Sequence, residues 1–159
     1  LATIMGRGPS SRLNRRLVYK EQWATSVNVS NYTLQDGGMF HVSASLKPLE
    51  DKRKARSTFL SAQRAIYGEM WRPRNLKVSA AELERARNQL LFGQIESLKT
   101  VHGIAESLAQ NEILFGDYKR LFTDLERYMK VTPQDIQAVA KKYLSPEKSN
   151  LVVLRPKGD

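Results

Sequence analysis

Residues able to do acid–base, nucleophilic or metal chemistry are few in this chain. It has 159 residues, two histidines and no cysteine. The missing cysteines exclude thiolate nucleophiles, thiolate zinc sites and disulfide scaffolds. His41 stands in Phe-His-Val, and His102 lies four positions before Glu106. A histidine and an acid at that spacing share a helix face and could ligate zinc. No third ligand accompanies them, so both histidines are read as partly exposed or hydrogen-bonded. The pattern H-x-x-E-H, in which two helical histidines hold zinc beside a water-activating glutamate, is absent. Gly-x-Ser-x-Gly is absent as well, and neither histidine stands where a Ser-His-Asp triad would need it. No catalytic, metal-ligating or substrate-binding residue is assigned in this chain, and no cofactor.

The other candidates are charged. Gly6-Arg7-Gly8 could cradle phosphate at a helix start. No convincing strand precedes it and no Gly-Lys-Ser/Thr follows, so it is read as a helix break. Lys52-Arg53-Lys54-Arg56 opens a helix, where positive charge opposes the dipole. Glu82, Glu84 and Glu96 read as a solvated helix face. Tyr19, Trp23 and Tyr32 lie near Arg15, Arg16 and Lys20, the interleaving a nucleic-acid surface uses. Trp23, however, falls on the apolar side of its strand, and no nucleic-acid motif is present.

The formal charge is +10 and lopsided. Residues 1–78 hold 14 Lys/Arg against 5 Asp/Glu, whereas residues 79–159 hold 12 against 11. A basic half points to an anionic partner or to solvated cations. No apolar run approaches the roughly 18 residues that a membrane span requires. No signal-peptide pattern is seen.

The elements that would carry these residues follow from periodicity and punctuation. Leu1 to Met5 reads as the end of an element, broken at Gly6 to Pro9. A helix follows to about Lys20, with Leu13, Leu17 and Val18 as its buried stripe. Residues 23–30 alternate as a strand, Gln35-Asp36-Gly37-Gly38 turns, and Met39 to Leu46 alternates again, so the pair forms an antiparallel hairpin. A helix from about Glu50 to Trp71 is expected to break at Arg72-Pro73-Arg74-Asn75. Ser79-Ala80-Ala81-Glu82 is a capping box. The helix it opens carries Leu83, Ala86, Leu90 and Leu91. Its stripe continues through Ile95, Leu98, Ile104, Ala105 and Leu108 to Phe115, with a break expected near Ser97 to Val101. Asp117 to Met129 predicts a short helix on Leu121, Leu125 and Tyr128. Thr132-Pro133-Gln134-Asp135 starts another, lined by Ile136, Val139, Ala140 and Tyr143. Ser145-Pro146 stops it, and Asn150 to Arg155 predicts a final strand inside the sheet. The expected fold is an α+β two-layer sandwich, its mainly antiparallel sheet covered by helices on one face.

Read whole, Leu1, Gly6 to Gly8, Ser11-Arg12-Leu13, Leu17 and Lys20-Glu21-Gln22 resemble a segment of pitrilysin/insulinase-type zinc peptidases, which include the mitochondrial processing peptidases. Glu82 to Leu90, Val131 to Ile136 and Ala140 to Leu144 resemble later landmarks of the same family, in order. The resemblance implies one duplicated half-domain, of the metal-free C-terminal kind, lacking its first strand. Residues 1–159 are then a single domain and a fragment of a longer two-domain chain. It also implies zinc in the missing N-terminal half, a peptide substrate, and a second subunit supplying an arginine and a tyrosine. Val18 and Thr25 stand where those two residues would be, and neither matches. The implied role is a chamber wall and subunit interface of a zinc-dependent endopeptidase, without activity of its own. The alternatives are a basic nucleic-acid-binding module and a catalytically inactive scaffold of the same family. The resemblance favours a periplasmic or cell-envelope setting and is compatible with a cytoplasmic one.

Overall fold

Helix α1 (Ala2–Gly6) has only five residues, yet it contributes to both apolar clusters of the fold. The computed structural model describes residues 1–34 and 37–155. After α1 the chain turns through Gly8 into a helical stretch whose Asn14–Lys20 portion is a π-helix. β1 (Ala24–Thr33) and β2 (Gly38–Leu46) pair antiparallel. Gln35 and Asp36, the centre of the expected turn, lie outside the described residues. Five helices follow: α2 (Lys52–Asn75), α3 (Ala80–Ser97), α4 (Val101–Phe115), α5 (Arg120–Lys130) and α6 (Pro133–Tyr143). A short 3₁₀ turn, Pro146–Lys148, comes last.

Two apolar clusters share α1. Met5 joins Leu13, Leu17, Ala24, Val27, Val29, Ala62 and Ala65, which brings together α1, the π-helix, β1 and α2. Phe40, Val42, Ala44 and Leu46 of β2 pack on the same cluster. Ile4, one residue before Met5, joins Val78, Leu83, Ala86 and Ile136 instead. The hairpin is therefore covered on one face, as the α+β reading expects.

The local start signals behave as their chemistry dictates. Ser79 accepts from the Glu82 amide while Glu82 accepts from the Ser79 amide, and Thr132 and Asp135 repeat this at α6. The break before α4 falls at Thr100, whose hydroxyl caps the new helix. Gly103, a residue of low helix propensity inside the apolar stripe, is sterically required there. A Cβ on it would stand 2.0 Å from the Ser97 carbonyl oxygen.

Four expectations change. The first is α2, which does not break at Arg72-Pro73 but runs through Pro73 to Asn75. Pro73 sits in the last turn, where little of the hydrogen-bond ladder remains to be lost, and its ring is buried. Secondly, the alternation of β1 slips by one residue. Ala24 pairs with Leu46 and Ser26 with Ser45, so Thr25 is the extra residue of a bulge. That slip turns Ala24 to the core beside Val27 and Val29. The third is the apolar stripe beyond Leu91, which is present but largely uncovered. α4 has no buried residue, and Ile95, Ile104 and Phe115 stay exposed. Val139 and Tyr143 of α6 and Tyr128 of α5 are exposed likewise. Finally, Leu151 to Arg155 forms no strand among the described residues, and Leu154 is 94% exposed. An all-apolar strand needs cover on both faces, and this segment has it on neither. No described helix is long and apolar enough to cross a membrane.

Candidate functional site

The corner from α1 to β1 is held by side chains that reach across it. Asn14 Nδ2 lies 3.0 Å from the Gly6 carbonyl, 3.0 Å from Ser11 Oγ and 3.2 Å from the Val27 carbonyl. Ser11, itself buried, donates onward to the Gly8 carbonyl at 2.8 Å. One amide thus ties α1, the π-helix and β1. Gly6 permits their contact, since a Cβ there would lie 2.2 Å from Val29 Cγ2. The corner ends in Gln22 at φ 54°, a left-handed turn into β1.

A second bond joins the corner to α3. Arg12 Nε donates to Glu82 Oε1 at 2.6 Å, and Nη2 to Oε2 at 2.8 Å. This is the parallel, two-bond geometry in which arginine and carboxylate pair best. Glu82 is therefore not part of a solvated face as its helix pattern suggests. It caps α3 and clamps Arg12 at once. The Arg12 hydrogen bonds, helped by those from Ser79, hold its carboxyl down from the usual 4.5 to about 2. Arg12 is held correspondingly further toward its charged form. The depressed carboxyl fixes the sign: the pair stabilises the fold above about pH 4.5 and loses that stabilisation as pH falls toward 2. The side chains remain 14% and 19% exposed, so solvent screening limits the effect to about 1 kcal/mol. The difference in denaturant midpoint between wild type and Glu82→Gln should accordingly be full at pH 6 and shrink steadily as pH falls from about 4.5 to about 2. A gap that stays constant over that range would contradict the assignment.

Beside this pair lies an open groove of about 980 Å³. Arg12, Arg15, Arg16, Lys20 and Arg72 line it, against Glu21, Glu69 and Glu82. Arg16 Nη1 reaches Glu69 Oε1 at 3.2 Å, and Arg72 stands 4.0 Å from the other Glu69 oxygen. Two of the three acids are thus committed to arginines, while Arg15 and Lys20 form no ion pair among the described residues. Tyr19, 58% exposed, forms part of the wall.

The residues singled out from sequence do not gather here. His102 is 90% exposed, and its Nε2 lies 3.8 Å from Glu106 Oε2. His41 is partly buried on β2, its ring 6.0 Å from that of Tyr32. No group of three metal-ligating side chains occurs among the described residues. Lys52, Arg53 and Lys54 open α2 with their charge offset by Asp51, which accepts from the Arg53 and Lys54 amides. Trp23 packs on the core and Tyr32 lies toward the far end of β1, so of the three aromatics only Tyr19 joins the basic groove. Sequence reasoning missed Asn14, Arg12 and Glu69. The buried position of Glu69 in the apolar stripe of α2 was the one available signal.

Val18 and Thr25 are put to structural use. Val18 packs against the core around Leu17. Thr25, on the bulge, donates its hydroxyl to the Ser45 carbonyl at 3.2 Å. The helix-covered antiparallel hairpin makes this an α+β fold. Residues 1–90 match the family described as Peptidase M16 inactive domain, and the chain belongs to that family. It is 32% identical over 161 residues to the zinc protease PqqE of Helicobacter pylori, covering 98% of this chain and 33% of that protein. It is 23% identical over 157 residues to mitochondrial cytochrome b-c1 complex subunit 2 of Rattus norvegicus, covering 94% of this chain and 33% of that protein. In fold it resembles the crystal structure of a protease from Helicobacter pylori, with a TM-score of 0.77 at 22% identity over 92% of this chain and 34% of that one. The chain spans about one third of the length of the curated relatives it matches.

Proposed function

We infer that this chain is the non-catalytic C-terminal half-domain of a zinc-dependent endopeptidase. It is a single domain of a longer two-domain chain and contributes chamber wall and subunit interface for peptide substrates. The observation that carries this reading is the use made of Val18 and Thr25. One is packed into the core and the other is bonded to the neighbouring strand. Neither side chain has the charge or the acidic hydroxyl needed to bind and polarise a peptide carbonyl. That work falls to a second subunit, and zinc to the N-terminal half, which would supply the activated water.

Zinc added to the purified 159-residue chain should give no cleavage of a quenched fluorescent peptide. Cleavage that a chelator abolishes would overturn the reading. The likeness to a cytochrome b-c1 subunit favours a second reading, an assembly scaffold of the same family. His-x-x-Glu-His in the segment preceding Leu1 supports the peptidase, and its loss supports the scaffold.

A further inference from the structure

We propose that the groove beside the corner binds an extended acidic peptide segment through its carboxylates. Its charge is the first argument. Glu82 is held by Arg12, and Glu69 is shared by Arg16 and Arg72. Only Glu21 stands against the uncommitted Arg15 and Lys20. The groove therefore keeps positive charge after its internal pairs are counted, and Glu69, shared by two arginines, leaves each with donors to spare.

Shape decides what kind of anion. A space of about 980 Å³ is far larger than one inorganic ion requires. Four of its cations, Arg12, Arg15, Arg16 and Lys20, come from one helical stretch and the fifth, Arg72, from α2. Arginine pairs with carboxylate in planar, two-bond fashion, and the exposed ring of Tyr19 gives an apolar wall against which a peptide stem can lie. Single-stranded nucleic acid would call for successive stacking rings, and the groove has one. The proposal concerns this chain's own surface and stands apart from whether the parent protein is a peptidase.

The test is fluorescence anisotropy with labelled hexaglutamate, hexalysine and a short oligothymidylate on the 159-residue chain. Hexaglutamate should bind more tightly than the oligonucleotide, and hexalysine should not bind. The double substitution Arg15→Gln, Lys20→Gln should weaken hexaglutamate at least about tenfold, as the loss of two charge-assisted contacts implies. Both side chains are exposed, so this variant should keep the wild-type unfolding midpoint. Arg16→Gln, which leaves Glu69 with Arg72, repeats the test through an independent residue. Lys52→Gln, Arg56→Gln removes the same charge from the exposed start of α2 and should leave binding unchanged. The proposal is overturned if wild type fails to bind hexaglutamate, if the α2 control weakens binding as much as the groove pair, or if oligothymidylate binds more tightly.

Discussion

Gly6→Ala should lower the stability of this chain by about 3 kcal/mol, near the upper end for overpacking, and its melting temperature by about 10 °C. The new Cβ would lie 2.2 Å from Val29 Cγ2, 2.5 Å from Val29 Cβ and 2.7 Å from the Val29 backbone nitrogen. A side chain can rotate aside, but a strand nitrogen cannot move without its ladder. α1 must therefore back away from β1. Because Ile4 and Met5 belong to different clusters, a shift of α1 that relieves one contact disturbs both clusters. The backbone contact makes the mechanism checkable. Adding Val29→Ala should not restore the thermal midpoint, since the 2.7 Å approach to nitrogen remains. Recovery in the double variant would mean that the clash is only between side chains.

The second large effect is at Asn14. Asn14→Ala leaves the Gly6 and Val27 carbonyls without their donor and should cost about 2 kcal/mol. Asn14→Asp keeps the shape yet should cost more, because a carboxylate accepts where the amide donates. It would face two carbonyl oxygens that offer it no proton. Such a carboxyl is pushed up in the folded state, so the variant is penalised above its unfolded range near 4 and recovers as pH falls. Urea midpoints should place Asn14→Asp below Asn14→Ala at pH 7, with the gap closing toward pH 4. An aspartate variant as stable as the alanine one at pH 7 would show that the amide does not donate to these carbonyls.

What could be read from sequence was what is decided within a few residues. Ser79 with Glu82 and Thr132 with Asp135 announce their helices because both partners lie inside one turn. The hairpin follows from alternation, and the break near residue 100 from Gly93 and Gly103, which interrupt the apolar stripe on either side of it. What is set by distant neighbours was not legible. The Arg12–Glu82 pair joins residues seventy positions apart, and nothing local marks the pairing, although Glu82 is marked as a cap. The bulge at Thr25 depends on how Leu46 meets Ala24 across the sheet. Pro73 signals a helix end, but burial of its ring carries the helix one short step further. The apolar stripe of α4 and the run Leu151 to Leu154 show the opposite limit. Their patterns are genuine, yet a pattern states only that a face is fit to be covered, and among the described residues these faces are not.

The brevity of α1 carries a consequence for cooperativity. A helix of five residues has far too few hydrogen bonds to exist by itself. Its order is lent by the hairpin on one side and by α3 and α6 on the other. Neither side can open alone without releasing the helix that the other is built on, so the two clusters should melt as one unit rather than as separate foldons. Arg12, Arg15 and Arg16 follow α1 directly along the chain. The cationic groove is therefore not a feature that a half-formed domain could display. Its wall includes Arg72 of α2 and Glu82 of α3 as well as the corner, so it should be lost in the same transition as the rest of the fold.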